Sequence, residues 1–264
     1  MRTHIIQFEI KDGDVQYNVD KVKAEINKLV LEENDVVVLP EMWSTGYRLE
    51  EIDTLASDHL EPILSDMKQL AKAHKINIIG GSIANKVDEE VYNTAFVINP
   101  KGELVHQYSK MHLVPMLDEP KYLAAGEEKV SVFDLNGEKA GVVICYDLRF
   151  PELFRDLALM DAKIIFVVAE WPIERTEHWR TLLKARAIES QCYIVGSNVV
   201  GTQTNGTTFA GHSVIIDPFG IVLAEGDDKS EQVVTETIDV SRISKIRKDV
   251  PIFKSRRKEL YHFK

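Results

Sequence analysis

The sequence predicts one α/β domain that spans residues 1–264. Short apolar runs rich in valine and isoleucine alternate with longer segments whose apolar residues recur at helical spacing, which is typical of α/β proteins. Two hairpins in different halves of the chain share the same turn residues. The composition is 44% hydrophobic and 28% charged, and no linker rich in Pro, Gly and Ser divides the chain. These three observations favour one globular unit over two.

The first third of the chain alternates predicted strands and helices. Thr3–Glu9 shows strand-like alternation, and Asp35–Leu39 is a buried strand that stops at a proline. Asn18–Leu31 carries apolar residues at helical spacing behind an Asn that we expect to cap the helix. Asp58–His74 is a second predicted helix, and Ile76–Gly81 is a third strand that ends in a glycine pair. This order predicts consecutive βα units.

Two predicted hairpins resemble each other. Residues 96–105 read Phe-Val-Ile-Asn-Pro-Lys-Gly-Glu-Leu-Val, and residues 214–223 read Val-Ile-Ile-Asp-Pro-Phe-Gly-Ile-Val-Leu. Each places Asn or Asp, then Pro, then Gly at positions one, two and four of a type I turn. The repeat predicts two similar halves, each combining βα units with an antiparallel pair. A chance similarity of turn chemistry is the alternative.

The second half of the chain adds further strands and helices. Gly141–Ile144 is a buried strand, and a helix is predicted to begin at Pro151, whose fixed φ suits a first helical turn. Lys163–Ala169 and Cys192–Val199 are buried strands on either side of a helix over Thr176–Ser190.

The remaining segments are predicted to be loops and a tail. Gly201–Gly206 is polar and glycine-containing, and together with Met116–Gly126 it is expected to form mobile loops over a site. Residues from about 245 to 264 are expected to form a C-terminal tail available for contacts between subunits.

Charge and composition exclude several classes of function. The formal net charge is −10, from 32 basic and 42 acidic residues, which argues against a surface for nucleic acid or anionic membrane. No apolar run approaches the ~18 residues of a membrane span, and the N-terminus lacks the apolar stretch of a signal peptide. Only two cysteines occur, so no disulfide framework is implied. A reducing cytoplasm is therefore the expected location.

Cys145 stands where the predicted strand 141–144 stops and the chain turns into a helix. A side chain at this point is held by rigid elements, and the N–H groups that follow it can face a developing negative charge. Cys145 is therefore a candidate nucleophile. The alternative is a small buried core residue, which is the usual role of a lone cysteine in an apolar run.

Two charged residues share the topological position of Cys145. Glu41 and Lys110 each follow a predicted strand, and open α/β sheets bind ligands at the carboxyl ends of their strands. A buried Glu41 with a raised pKa could take the thiol proton, and Lys110 could stabilise an oxyanion, so the three side chains could perform acyl transfer. Separately, Glu41 could merely cap a loop, Lys110 could be a solvated strand end, or the two could form a structural ion pair.

The same residues carry a resemblance to the carbon–nitrogen hydrolases of the nitrilase superfamily. Residues 39–47, Leu-Pro-Glu-Met-Trp-Ser-Thr-Gly-Tyr, resemble the family's glutamate motif, which makes Glu41 the general base. Residues 108–113, Tyr-Ser-Lys-Met-His-Leu, resemble the lysine motif, which makes Lys110 the oxyanion stabiliser. Residues 144–152, Ile-Cys-Tyr-Asp-Leu-Arg-Phe-Pro-Glu, resemble the nucleophile motif and assign Cys145. The resemblance also implies a second glutamate of the catalytic site, which helps to position the substrate and which Glu119 matches.

The resemblance implies a fold and an assembly as well. The family fold is an αββα sandwich with internal pseudo-symmetry, formed by a single domain. Association through the helices near the nucleophile implies a homodimer. No cofactor is implied, and the eight histidines show no metal-ligand spacing such as His-Glu-x-x-His, so no metal is expected.

Within the superfamily the chain is similar to the omega-amidases. Residues 169–179, 183–191 and 209–213 carry this similarity. Those enzymes hydrolyse the terminal amide of 2-oxo dicarboxylic acid monoamides such as 2-oxoglutaramate and 2-oxosuccinamate. Arg175 is then the candidate to bind the substrate carboxylate, because a guanidinium group binds a carboxylate bidentately. The alternative is that Arg175 forms an ion pair with Glu174, Glu177 or another acid. Further residues expected to bind substrate are Tyr47, Tyr146, Trp171 and His178.

Three other interpretations stay open at this point. The enzyme could be an amidase for another small linear amide or carbamoyl compound, it could transfer the acyl group to an acceptor other than water, or the fold could serve a non-catalytic binding protein. Arg149 we interpret as structural, paired with an acid near the nucleophile loop.

Overall fold

Two β-sheets stack face to face, and helices cover the outer face of each sheet, which is the predicted αββα sandwich. The computed structural model describes residues 1–262. In the strand Val36–Val38 the side chains alternate as a strand requires: Val36 and Val38 belong to the cluster between the sheets, and Val37 belongs to the cluster under the helices. Within residues 1–262 no helix is long and apolar enough to cross a membrane.

The N-terminal half supplies most of the first sheet. Its elements in chain order are β1 (Arg2–Gln7), α1 (Val15–Lys28), β2 (Val36–Val38), α2 (Ile52–Leu55), β3 (Ser57–Asp58), α3 (Ile63–His74), β4 (Asn77–Val87), β5 (Glu90–Ile98), β6 (Leu104–Ser109) and α4 (Glu119–Tyr122).

The C-terminal half supplies the second sheet and one strand of the first. Its elements are β7 (Phe133–Leu135), β8 (Glu138–Ile144), α5 (Pro151–Leu159), β9 (Ile164–Val168), α6 (Thr176–Ser190), β10 (Tyr193–Ser197), β11 (Val214–Ile216), β12 (Val222–Glu225), β13 (Gln232–Thr237) and α7 (Ser241–Asp249). The helix predicted over Thr176–Ser190 and the helix start predicted at Pro151 are both confirmed.

The two sheets repeat one strand pattern. In the first, parallel strands β1, β2 and β4 lie between the antiparallel strand β13 and the hairpin of β5 and β6, and β3 adds a short pairing to β4. In the second, parallel strands β8, β9 and β10 lie between the antiparallel strand β7 and the hairpin of β11 and β12. The prediction of two similar halves is confirmed.

The repeated hairpins have the same turn chemistry. Oδ1 of Asn99 accepts hydrogen bonds from the N–H groups two and four residues later, both at 3.0 Å. Oδ1 of Asp217 does the same at 2.9 and 3.0 Å. Gly102 and Gly220 follow with φ of 78° and 80°, a conformation that favours glycine. The two hairpins therefore share their turn residues because they share a backbone conformation. This result argues against a chance similarity of the two turns.

The first helix begins earlier than predicted, and its cap is a different residue. Asp14, not Asn18, accepts the capping hydrogen bond, from the N–H of Tyr17 at 3.2 Å. Asn18 is buried inside α1, where its amide binds both backbone groups of Lys11 and the carbonyl of Ser44. Asn18 thus fixes the loop after β1 against the loop after β2.

Three further predictions differ from the structure. The strand predicted over Ile76–Gly81 does not end at its glycine pair but continues as β4 to Val87. The helix predicted over Asp58–His74 begins at Ile63, because Ser57 and Asp58 pair with β4 and the next two residues have positive φ. The segment Met116–Gly126, predicted to be a loop, contains the short helix α4, whose first two residues are Glu119 and a proline suited to a first helical turn.

Candidate active site

The residues predicted at strand ends come together at one edge of the sandwich. Glu41 follows β2, Lys110 follows β6, and Cys145 follows β8, so the two sheets contribute side chains to one place. A cavity of about 400 Å³ opens beside Cys145, a volume in the range of small-molecule sites. Its lining residues include Tyr47, Val114, Leu117, Cys145, Tyr146, Arg149, Glu170, Trp171, Arg175, Gln203, Asn205 and Phe209.

Glu41 lies in a loop that β4 holds tightly. The N–H of Ser82 donates to the carbonyl of Pro40 at 3.0 Å, and the hydroxyl of Ser82 accepts from the N–H of Met42 at 3.1 Å. Gly81 has a φ of +60°, and a Cβ there would lie 1.9 Å from the carbonyl oxygen of Pro40. No residue larger than glycine fits this close approach, which places Glu41 at a fixed point on the sheet edge.

Lys110 is fully buried between two glutamates. Its Nζ lies 2.9 Å from Oε1 of Glu41 and 2.8 Å from Oε1 of Glu119, and 3.2 Å from the hydroxyl of Tyr47. Burial alone would lower the pKa of Lys110, but the two carboxylates outweigh burial and raise the pKa above its usual range. Lys110 is therefore an ammonium ion, and it is not the solvated strand end of the alternative interpretation.

Glu41 accepts four hydrogen bonds. Besides Lys110 it accepts from the hydroxyl of Tyr47 at 2.7 Å, the amide of Asn93 at 2.8 Å and the peptide N–H of Glu170 at 2.8 Å. Burial raises the pKa of Glu41, but Lys110 and these donors outweigh burial and lower it below its ordinary value. The expectation of a raised pKa is therefore wrong: Glu41 is held as a carboxylate by its donors.

Glu119 faces Glu41 across Lys110. Its Oε1 also lies 2.8 Å from the hydroxyl of Tyr47, whose single proton it shares with Glu41, and its Oε2 accepts from the N–H of Val114 at 2.8 Å. Burial and the nearby charge of Glu41 raise the pKa of Glu119, and Lys110 only partly compensates. Of the two glutamates, Glu119 is therefore the one that takes up a proton more easily.

Cys145 occupies the sharp turn between β8 and the chain that leads to α5. Its φ is 45°, a left-handed conformation that is strained for a residue with a Cβ, and its side chain is buried at the wall of the cavity. Burial, then the neighbouring Glu41 carboxylate, raises the pKa of the Cys145 thiol well above its ordinary value, and Lys110 opposes this effect. The thiol at rest is therefore neutral and lies beside an ionised carboxylate.

Asp147 ties the turn of Cys145 to the strand of Lys110, a relationship that the sequence reasoning missed. Oδ2 of this fully buried carboxylate accepts from the hydroxyl of Tyr108 at 2.8 Å and from the N–H of Ile144 at 3.1 Å. Oδ1 accepts from the N–H and the Nδ1 of His112 at 3.2 and 2.8 Å. The tyrosine, the histidine and the aspartate all lie inside the quoted motifs, but their pairing depends on the stacking of the two sheets.

Arg149 differs from its predicted role. No hydrogen bond or ion pair joins its guanidinium to an acid among residues 1–262, so the interpretation as a structural ion pair is wrong. Its guanidinium carbon instead lies 4.7 Å from the ring centre of Trp171 and 5.8 Å from that of Tyr146. Burial, and next the charge of Arg175, lowers the pKa of Arg149. Stacking on two rings thus holds, in the wall of the cavity, a cation that has no acid partner in the described part of the chain.

The other predicted substrate-binding residues fall into two groups. Tyr47, Tyr146, Trp171 and Arg175 line the cavity, and no acid pairs with the Arg175 guanidinium in the described part of the chain. His178 lies on the exposed face of α6 and is not among the lining residues of the cavity. We therefore leave His178 out of the site.

Two further buried residues of the site were not predicted. Glu170 follows β9 and could have been found, because it holds the same strand-end position as Glu41 and Cys145. Asn93 lies within β5 and donates to Glu41, and nothing in its sequence context distinguishes it from a residue that merely faces the core.

Comparison with known proteins agrees with this geometry. The carbon-nitrogen hydrolase family matches residues 2–248. A 2-oxoglutaramate amidase from Bacillus subtilis (strain 168) is 41% identical, covering 97% of this chain and 97% of its own. The omega-amidase YafV of Escherichia coli (strain K12) is 36% identical over 82% of each chain. The crystal structure of XC1258 from Xanthomonas campestris, a CN-hydrolase superfamily protein, superposes with a TM-score of 0.91 at 31% identity, covering 100% of this chain and 99% of its own. The chain belongs to the carbon-nitrogen hydrolase family.

Proposed function

We propose that the protein hydrolyses the terminal amide of a 2-oxo dicarboxylic acid monoamide, such as 2-oxoglutaramate or 2-oxosuccinamate. The observation that carries the proposal is a neutral thiol beside an ionised Glu41, at a cavity whose wall holds two guanidinium groups that have no acid partner among the described residues. The first feature suits attack on an amide, and the second suits a substrate with a carboxylate at its other end. The names of the two amidase relatives support the same substrate class.

The acylation step uses Cys145, Glu41 and Lys110. Glu41 takes the proton of the Cys145 thiol, and the sulfur forms a bond to the amide carbon. The carbonyl oxygen becomes an oxyanion, which Lys110 and the N–H of Tyr146 stabilise. The intermediate then collapses: the C–N bond breaks, the nitrogen takes the proton from Glu41, and ammonia leaves a thioester on Cys145.

The deacylation step returns the enzyme to its starting state. Glu41 takes a proton from water, and the oxygen attacks the thioester carbon. The C–S bond breaks, the sulfur recovers the proton, and the dicarboxylic acid leaves. Glu119 positions Lys110 through their 2.8 Å contact, and Tyr47 holds both glutamates in place.

The substrate carboxylate binds to Arg149 and Arg175. Both guanidiniums line the cavity, and Arg149 is pre-oriented by Trp171 and Tyr146, so it loses little freedom when a carboxylate pairs with it. The two like charges repel each other until an anion arrives, which favours a carboxylate at this end of the cavity.

Ammonia release tests the proposal. The panel contains 2-oxosuccinamate, 2-oxoglutaramate, a neutral aliphatic amide and a carbamoyl amino acid, and we expect the highest kcat/KM on the two 2-oxo acid amides.

The nucleophile is tested separately. Cys145→Ala should abolish turnover, and mass spectrometry during turnover should find the acyl group on Cys145. Cys192, which is buried elsewhere, is the internal control. Activity in the alanine variant, or an adduct on Cys192, would overturn the assignment of the nucleophile. Turnover of the neutral amide alone would overturn the substrate class.

A homodimer in the cytoplasm is the setting we propose for this activity. Large apolar side chains are exposed near α5 and α6, among them Leu159, Ile188, Phe219 and Val250, and these suit a contact between two copies. The tail from about residue 245 borders the same face through Val250 and Ile252, and residues 263 and 264 lie outside the described residues. Light scattering should give twice the mass of the 30.0 kDa chain, and Ile188→Glu should give the monomer. A monomeric parent would refute the dimer.

The proposed location in the cytoplasm is supported by the two cysteines, which are both free, as suits a reducing compartment. Cell fractionation tests this location.

A further inference from the structure

Glu170 is a buried acid at the cavity that the proposed mechanism does not use. Its side chain is 3% exposed, and its own peptide N–H donates to Oε2 of Glu41 at 2.8 Å. Its Oε2 accepts one hydrogen bond, from the amide of Gln203 at 2.8 Å. Its Oε1 is buried without a hydrogen-bond partner among residues 1–262. Glu170 therefore offers one unsatisfied oxygen at the wall that also holds Cys145.

The surroundings of Glu170 keep its carboxyl group neutral. No cation pairs with it in the described part of the chain, and Lys110 is already bonded to Glu41 and Glu119. A buried carboxylate with one neutral donor and no cation is costly, so such a group takes up a proton. Burial, and then the charges of Glu41 and Asp12, raises the pKa of Glu170 well above its ordinary value, while Lys110 and Gln203 oppose them.

The position of the proton follows from the contacts. Because Oε2 accepts from Gln203, the acid proton lies on Oε1, which has no hydrogen-bond partner among residues 1–262 and can therefore act as a donor toward a bound ligand. Buried polar atoms without a hydrogen-bond partner are rare in native proteins, and one that belongs to the wall of a cavity points to a contact with a ligand.

We propose, resting on the function proposed above, that the Oε1–H of Glu170 donates a hydrogen bond to the 2-oxo oxygen of the substrate and so separates 2-oxo acid amides from amino acid amides. A 2-oxo group is an acceptor and satisfies this donor. The ammonium group that glutamine or asparagine carries at the same carbon has only donors, and it would also face the positive charges of Arg149 and Arg175. Glu174, the other acid of the wall, is exposed to solvent, so water screens its charge.

Three substrates and two variants test the proposal. The substrates 2-oxosuccinamate, succinamate and asparagine differ only at one carbon, which carries an oxo group, two hydrogens or an ammonium group. Glu170→Gln keeps the shape and an N–H donor, and Glu170→Leu keeps a similar volume without the donor. We expect Glu170→Leu to lower kcat/KM on 2-oxosuccinamate by about 10- to 100-fold and to change succinamate less than about threefold. We expect Glu170→Gln to keep the preference of the parent for 2-oxosuccinamate.

Each outcome decides between the alternatives. Equal losses on 2-oxosuccinamate and succinamate in Glu170→Leu would mean that the side chain only supports the fold, and the proposal fails. If Glu170→Leu does not fold, Glu170→Gln decides alone: loss of the preference in a folded Glu170→Gln overturns the proposal. A parent enzyme that hydrolyses succinamate as well as 2-oxosuccinamate also overturns it, yet leaves the amidase activity standing. A parent that releases ammonia from none of the three substrates refutes the proposed function itself.

Discussion

The hydroxyl of Tyr108 donates to Oδ2 of Asp147 at 2.8 Å, inside the protein and between the two sheets. Tyr108 lies two residues before Lys110 at the end of β6, and Asp147 lies two residues after Cys145 in the turn after β8. The same carboxylate holds the N–H of Ile144, directly before the strained Cys145. One buried carboxylate therefore fixes the ammonium of one sheet relative to the thiol of the other.

Asp147→Asn should lower kcat about 10- to 100-fold and change KM little. The carboxylate accepts hydrogen bonds through both of its oxygens, whereas the asparagine amide would turn its NH2 group toward some of these donors. The resulting repulsion should shift Cys145 relative to Lys110. Steady-state kinetics measure the split between kcat and KM, and alkylation of Cys145 by iodoacetamide reports the altered thiol independently. Tyr92→Phe is the matched control, since it removes a tyrosine hydroxyl that binds Glu90 away from the site. A wild-type kcat in Asp147→Asn would show that the carboxylate does not position the turn.

Lys110→Met should lower kcat about 100- to 1,000-fold, the range for losing one oxyanion donor, and Glu41→Gln should cost at least as much because Glu41 acts in both steps. Lys86→Met serves as the control, since Lys86 pairs with Asp53 at the surface and its loss should leave kcat unchanged. Thermal unfolding of each variant separates a catalytic loss from a folding defect. A loss below tenfold in a folded variant would return that residue to a structural role.

Much of the fold could be predicted because its elements carry local signals. The helix predicted from about Thr176 to Ser190 is α6, and the turn residues Asn99 and Asp217 identify equivalent hairpins. Strand ends placed the three central residues of the site at one edge. Boundaries were less predictable where long-range contacts compete with local preference: Asn18 binds Lys11 and Ser44 and does not cap α1, and Ser57 joins β4 and not α3.

The electrostatics of the site could not be predicted from the sequence. A buried glutamate has a raised pKa unless donors surround it, and the donors of Glu41 come from positions 47, 93, 110 and 170, far apart in the chain. The sequence context of Arg149 offers several acids nearby, but the fold turns its guanidinium toward Trp171 and Tyr146. Both differences arise from contacts between segments, which no local pattern encodes.

Arg175→Ala and Arg149→Met should each lower kcat/KM on 2-oxosuccinamate by roughly 10- to 150-fold, the effect of losing one charge-assisted contact. A short neutral aliphatic amide has no carboxylate, so its kcat/KM should be nearly unchanged in Arg175→Ala. Arg149 also packs on Trp171, and the loss of this packing should cost the neutral amide a few-fold in Arg149→Met. Equal losses on both substrates would show that the arginine in question only supports the fold.

His106 makes the stability of the fold depend on pH in the acidic range. His106 lies on β6 with its ring centre 5.0 Å from that of Phe133, and its Nε2 is buried without a partner among residues 1–262. Burial lowers the pKa of His106 to about 4, whereas a histidine in an unfolded chain has a pKa near 6.5. Below pH ~6.5 the unfolded chain therefore binds a proton that the folded protein does not accept until pH ~4.

His106→Phe should remove this part of the pH dependence. The contribution of the neutral ring is present above pH ~6.5 and is lost as the pH falls toward 4, so the parent should lose about 3 kcal/mol more stability than the variant between pH 7 and pH 4. Urea unfolding at several pH values measures this difference, and effects of the carboxylates cancel because both proteins share them. His59→Phe, at an exposed histidine paired with Asp58, is the matched control and should follow the parent. Parallel pH profiles for the parent and His106→Phe would show that His106 is protonated as easily in the folded protein as in the unfolded chain.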